Sequence, residues 1–124
     1  MIRPRLAAAL VLAAVCASTN VSAHLTVVKT LPAADSTISA PPDRVAVWFS
    51  QVPSSRLSRL ELRGPNGDDV IGLEKPTISA EDHSVSARLP TTLTAGTYTV
   101  AWRTAGDDGH VMRGTFTFSV QPAR

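Results

Sequence analysis

Three side chains with metal-binding chemistry stand far apart in the chain: His24 near one end, and Asp108 and His110 in the run Asp108-Gly109-His110 near the other. A histidine at the first position of a chain offers two nitrogens from one residue, the α-amine and the imidazole. With a second imidazole and a carboxylate the set becomes three nitrogens and one charged oxygen. Cu(II) prefers square-planar or tetragonal nitrogen and oxygen donors, so the set points to one Cu(II) per chain. In an extended stretch, residues two apart point the same way, which brings Asp108 and His110 toward one ion, and Gly109 lets the backbone bend close to it. Both the amine and the imidazoles must be deprotonated to bind, so metal uptake should weaken on acidification.

His24 becomes a first residue only if residues 1–23 are removed, and those residues have the marks of a secretory leader. Met1 to Arg5 carries two arginines, Leu6 to Ala17 is an apolar run, and Val21-Ser22-Ala23 puts small residues where a signal peptidase cuts. The apolar run ends at Ser18-Thr19-Asn20, short of the roughly 20 residues a membrane span needs, so an uncleaved anchor is the weaker reading. Cys16 could instead serve as a lipoprotein cysteine, but bulky Val15 before it fits that processing poorly. The expected organisation is a signal peptide over 1–23 and one domain over 24–124, placed in the periplasm or otherwise exported, with no direct membrane anchor after processing.

Removal of the leader changes the charge balance. The full chain has 12 Lys+Arg against 10 Asp+Glu, and loss of Arg3 and Arg5 leaves 12 − 2 = 10 of each. Such a balance gives no reason to expect nucleic acid or an anionic membrane as partner. The single cysteine, Cys16, leaves with the leader, so no disulfide is expected. The remaining 124 − 23 = 101 residues suffice for a single core.

The elements that must position the three residues read as strands. The region shows short alternations of apolar and polar residues, rich in Val, Thr and aromatics and broken by Pro and Gly, with no sustained helical period. Seven strands are expected: 25–30, 44–50, 59–63, 69–73, 85–89, 97–104 and 114–120. Val45, Val47 and Phe49 share one face, as do Tyr98, Val100 and Trp102, and Phe116, Phe118 and Val120. These faces form the expected core. Pro41-Pro42, Gly64-Pro65-Asn66-Gly67 and Thr94-Ala95-Gly96 mark turns. About seven strands in about 100 residues point to an all-β, two-sheet Greek-key β-sandwich or barrel, cupredoxin-like or immunoglobulin-like. In Leu93-x-x-Gly96-x-Tyr98 the tyrosine is placed to bond its hydroxyl back to the preceding loop. Residues 121–124 are expected to form a frayed tail.

The same residues resemble a known family. His24, Leu31-Pro32-Ala33-Ala34, Val45-Ala46-Val47-Trp48-Phe49-Ser50, Gly96-Thr97-Tyr98-Thr99-Val100-Ala101-Trp102-Arg103, Asp108-Gly109-His110 and Gly114-Thr115-Phe116-Thr117-Phe118 are similar, in order and across essentially the whole exported region, to the CopC copper-resistance family. The resemblance implies a small exported β-sandwich that binds Cu(II) through an amino-terminal histidine brace, with His24, Asp108 and His110 as ligands. It also implies a CopD-like inner-membrane copper transporter as partner. Two positions depart from the pattern. Some family members carry a methionine-rich segment that binds Cu(I), whereas residues 51–75 contain no Met, and the soft thioethers that select Cu(I) are missing there. Gln51 stands where the family commonly has Glu, which removes a carboxylate that could orient the site.

The neighbouring candidates read as structural. His83 lies in the charged run Glu81-Asp82-His83-Ser84 without ligand spacing and is expected to be solvated, and Asp107 is one residue out of step with His110 and should face away. Met112, Trp48 and Trp102 are expected to pack. The leading expectation is a non-enzymatic periplasmic protein that holds copper for resistance or delivery. Two other classes stay open: an oxidative enzyme using the same copper brace, disfavoured because Asp108 fills a position oxygen chemistry needs open, and a metal-free immunoglobulin-like interaction module.

Overall fold

A computed structural model describes residues 24–67 and 69–123 of the chain. The leader read over 1–23, with Cys16, lies outside the described residues. Every regular element within them is a strand: β1(Val27–Leu31), β2(Thr37–Ile38), β3(Arg44–Phe49), β4(Arg59–Arg63), β5(Val70–Ile71), β6(Thr77–Ser79), β7(Ser84–Arg88), β8(Gly96–Ala105) and β9(Val111–Val120).

The strands form two sheets, one in the order β1-β3-β7-β6 and one in the order β2-β9-β8-β4-β5. The chain passes between sheets after β1, β2, β3, β5 and β7, so most neighbours in a sheet are not consecutive in sequence. All pairings are antiparallel except the short parallel contact of β2 with β9. The result is the all-β sandwich the alternation implies.

Alternation also places the core. Val45, Val47 and Phe49 of β3 face Leu62 of β4, Tyr98 and Val100 of β8, and Phe116, Phe118 and Val120 of β9, all of them buried. Burying one such side chain contributes about 1.5–3 kcal/mol. Trp102 is only half-buried, with its ring against Phe49 at 5.2 Å between centroids, edge to face, and laid across Gly114 in the next strand. A Cβ at Gly114 would stand 2.5 Å from that indole, so a side chain there would displace it. The Tyr98 hydroxyl donates to the Thr94 carbonyl at 2.6 Å, closing the corner that Leu93-x-x-Gly96-x-Tyr98 announces.

Among the described residues nine strands replace the expected seven. The additions, β2 and β6, have two and three residues and lie at sheet edges, too short to show a period. The expected strand 69–73 shrinks to Val70–Ile71, whereas the last one begins three residues earlier than expected, at Val111. That extension matters for function, because it carries the β8–β9 ladder up to the pair Ala105↔Val111 and leaves only residues 106–110 as the connecting loop. The tail does not fray from its first residue, because the Gln121 amide donates to the Ile38 carbonyl at 2.9 Å and ties it to β2.

Candidate metal centre

The loop 106–110 joins the two longest strands among the described residues and is therefore held on a rigid stem. It is a turn, in which the Gly109 amide donates to the Gly106 carbonyl at 3.1 Å and Gly109 takes φ 75°, a conformation that favours glycine. Asp108 and His110 converge here for a different reason from the extended geometry expected of the sequence. The Asp108 carboxylate folds over the turn, its Oδ1 accepting from the His110 amide at 3.0 Å and its Oδ2 meeting His110 Nδ1 at 2.9 Å. Aspartate side chains bond the backbone two residues on in this way, and turns favour them for it.

His24 reaches the loop from the other sheet. Leu25 beside it is buried, with 3% of its surface exposed, and belongs to the core. Thr26 is clamped to the end of β3 from both sides: its amide donates to Ser50 Oγ at 2.9 Å, and the Ser50 amide donates to its carbonyl at 2.9 Å. With Leu25 turned inward, alternation turns His24 outward. Its Nδ1 lies 3.8 Å from Asp108 Oδ2, and its ring centroid lies 6.1 Å from that of His110.

Gly106 and Gln51 seat the loop against the amino-terminal segment. A Cβ at Gly106 would stand 2.6 Å from Gln51 Oε1 and 3.3 Å from Leu25 Cβ, so a side chain there would turn the Gln51 carboxamide aside and press the two segments apart by a few tenths of an ångström. Gln51 Oε1 also accepts a long bond, 3.4 Å, from the Asp107 amide. A carboxamide does at this position what an acceptor oxygen requires, without adding charge. Deeper in, Ser58 and Thr104 share a buried hydroxyl contact of 2.7 Å, and the Ser54 amide donates to Ala105 at 2.9 Å, which fixes the stem of the loop.

The three expected residues are thus brought together, one donor atom from each lying within 4.8 Å of the others, and all three are exposed. Donors bound to one transition-metal ion lie about 2.0–2.2 Å from it, hence at most roughly 4.4 Å apart, so small side-chain rotations close the set. The donors, two imidazoles and a carboxylate, suit a borderline metal ion. Asp108 is charged at neutral pH: the His110 amide bonded to its carboxylate holds its pKa below the usual range, and the His110 ring and the fields of both histidines act in the same direction.

The other candidates stay apart from the cluster. Asp107 is exposed and bonds through its amide. His83 is half-buried rather than solvated, at φ 59° in the turn before β7, with its carbonyl accepting from the Phe49 amide at 2.8 Å. Met112 packs against the core. Trp48 is half-buried on the outer face of the four-stranded sheet, under the Lys29 ammonium at 4.4 Å and bonded to Asp82. Sequence reasoning did not foresee the parts played by Leu25, Ser50 and Gly106. Only Gln51 carried a signal, as a departure from a pattern.

A family model for the CopC domain matches residues 27–121. The chain belongs to the CopC family. Among its relatives is Protein YobA of Escherichia coli, 29% identical over 102 residues that make up 82% of each chain. Copper transport protein CutJ of Bacillus subtilis is 27% identical over 102 residues, 82% of this chain but 19% of CutJ, so the CopC-like region is a small part of that protein. Among solved structures, PcoC, a methionine-rich copper resistance protein from Escherichia coli, is 29% identical, superimposes with a TM-score of 0.69, and covers 80% of this chain and 100% of its own. This CopC-family protein has only Met1 and Met112, so a methionine-rich character is not shared.

Proposed function

We propose that this protein is a non-enzymatic, exported copper carrier that binds one Cu(II) through His24, Asp108 and His110 once the leader ends at Ala23. Copper is its cargo, held for resistance or for delivery to a CopD-like transporter of the inner membrane. Relatives named for copper resistance and copper transport support the choice of metal.

The observation that carries the reading is the orientation of His24. A chelate that uses a residue's own amine and imidazole closes a six-membered ring through Nδ1, because Nε2 is too far from the amine to share an ion. Nδ1 is the nitrogen that lies 3.8 Å from Asp108 Oδ2, on the side of the second histidine. Release of the amine by cleavage would add a further nitrogen next to a position already facing two other donors.

Each residue then has a distinct task. His24 supplies the chelate, Asp108 supplies negative charge without having to lose a proton at neutral pH, and His110 supplies a second imidazole. Exposure of all three suits a cargo site, since an ion to be handed on must be reachable. The anionic Asp108 next to the nitrogen donors favours holding Cu(II) over oxygen chemistry, which needs an open position.

Titration of the protein beginning at His24 with Cu(II), followed by electron paramagnetic resonance, tests this. One equivalent with a nitrogen-rich spectrum is expected, and His110→Ala should weaken binding at least about tenfold. Tight one-to-one binding retained in His110→Ala would overturn the assignment.

A further inference from the structure

The outer face of the five-stranded sheet carries a charge pattern that the copper site does not use. Arg59 of β4 stands opposite Arg103 of β8, and Arg103 stands opposite Arg113 of β9, so three exposed arginines form one row across three adjacent strands. Strands lie about 4.8 Å apart, so the row spans roughly 10 Å at its base. Like charges directly opposite one another in a sheet are destabilising. Folding alone therefore gives no reason for the row.

Little on this face neutralises it. Among the described residues no carboxylate lies within ion-pair distance of Arg59, Arg103 or Arg113. Glu61, the one acid among the outward positions of β4, β8 and β9, is taken by Arg63 at 2.7 Å. On the outward positions of β4, β8 and β9 four arginines stand against one glutamate, 4 − 1 = 3, in a region whose Lys+Arg and Asp+Glu balance; the further acid on this face, Asp35, is bonded to Thr117, four residues along β9 from Arg113. Arg59 is held in place by the Ser58 carbonyl, to which its Nη1 donates at 2.8 Å.

The row also borders a hollow. A depression of about 610 Å³ is lined by Arg59, Glu61, Ala101, Arg103, Arg113 and Thr115, with the small Ala101 between the long arginine stems. It lies next to the metal cluster: only the pairs Thr104↔Met112 and Ala105↔Val111 separate Arg103↔Arg113 from the loop that carries Asp108 and His110. At about 3.3 Å per residue, that is roughly 7 Å from the last pair of the ladder.

We propose that this face docks an acidic peptide segment of a protein partner, whose carboxylates pair with Arg59, Arg103 and Arg113 while its body lies beside the loop 106–110. Guanidinium forks match carboxylates in a two-bond geometry, and a hollow receives side chains where a flat bilayer surface would bridge over it. The purpose of the docking, placing an acceptor next to the ion, rests on the copper reading. The docking itself does not.

The test uses the protein beginning at His24 and a short fluorescent peptide alternating Glu and Ser, with a Gln-for-Glu peptide as control. The Glu peptide binds, the Gln peptide does not, and binding weakens as salt is raised. Arg103→Glu with Arg113→Glu weakens the Glu peptide at least about tenfold, and Arg113→Glu alone weakens it several-fold. Arg88→Glu, on the other sheet, leaves it unchanged. Equal binding of the two peptides, equal loss in Arg88→Glu, or binding only to phosphatidylglycerol vesicles would each overturn the proposal. Cu(II) uptake by the double variant is measured alongside and stays as in the wild type. If copper fails to bind while the peptide still docks through the row, the copper reading falls and the docking surface stands.

Discussion

Replacing Leu25 by Ala should loosen the copper site without touching any proposed ligand, and the structure sets the size of the effect. Burial of Leu25 contributes about 1.5–3 kcal/mol to seating the amino-terminal segment. The two hydrogen bonds between Thr26 and Ser50 add about 0.5–1.5 kcal/mol each. Ordering the backbone of residues 24–26 costs about 1–2 kcal/mol per residue. These amounts nearly cancel, so the segment is docked by a narrow margin, and removal of about 2 kcal/mol shifts it toward detachment. Apparent affinity falls by the fraction of molecules still docked, which gives a Cu(II) Kd about three- to thirtyfold higher. The fold itself should survive, since a core Leu→Ala costs about 2–5 kcal/mol against a typical domain stability of about 5–15 kcal/mol. Chelator-competition titration reads the affinity, and amide hydrogen exchange at Thr26 and Ser50 reads the docking. A Kd within about twofold of wild type, with unchanged exchange at both amides, would refute the claim that the core anchors the metal site.

Two further outcomes probe the site. Gly106→Ala places a methyl against Gln51 Oε1 and Leu25 Cβ and should weaken Cu(II) binding with a stability loss of about 1 kcal/mol, and Gln51→Ala in the same chain should recover part of both losses, measurable as a double-mutant cycle. Asp108 has a lowered pKa in the folded protein, so what its charge contributes is fully present above the unfolded carboxylate pKa and is lost only as pH falls through the lower folded value. The decline of Cu(II) uptake between neutral and mildly acidic pH must then come from the nitrogen donors, and Asp108→Asn should weaken binding at every pH in that window.

Much of the fold is legible because burial on one face enforces period two. Val45, Val47 and Phe49 announce their strand, and Gly96-x-Tyr98 announces its corner, since each depends on residue types a few positions apart. β2 and β6 are illegible because two or three residues carry no period, and their pairing is set by the neighbouring strands. Val111-Met112-Arg113 does not read as strand either, yet the ladder with β8 extends through it. His24, Asp108 and His110 could be picked out by chemistry alone. The means of bringing them together could not, because the close approach of Leu25, Gln51 and Gly106 joins three distant parts of the chain by shape rather than by residue type.

The central claim is that the His24 amine is a copper donor. Comparing the Cu(II) affinity of the protein beginning at His24 with that of the same protein acetylated on its α-amine tests it most directly, because the two differ only in whether that nitrogen can donate. The free-amine form should bind one Cu(II) at least about a hundredfold more tightly, the worth of roughly 2.8 kcal/mol from losing one nitrogen donor and its chelate ring. Equal affinities and identical electron paramagnetic resonance spectra for the two proteins would contradict it.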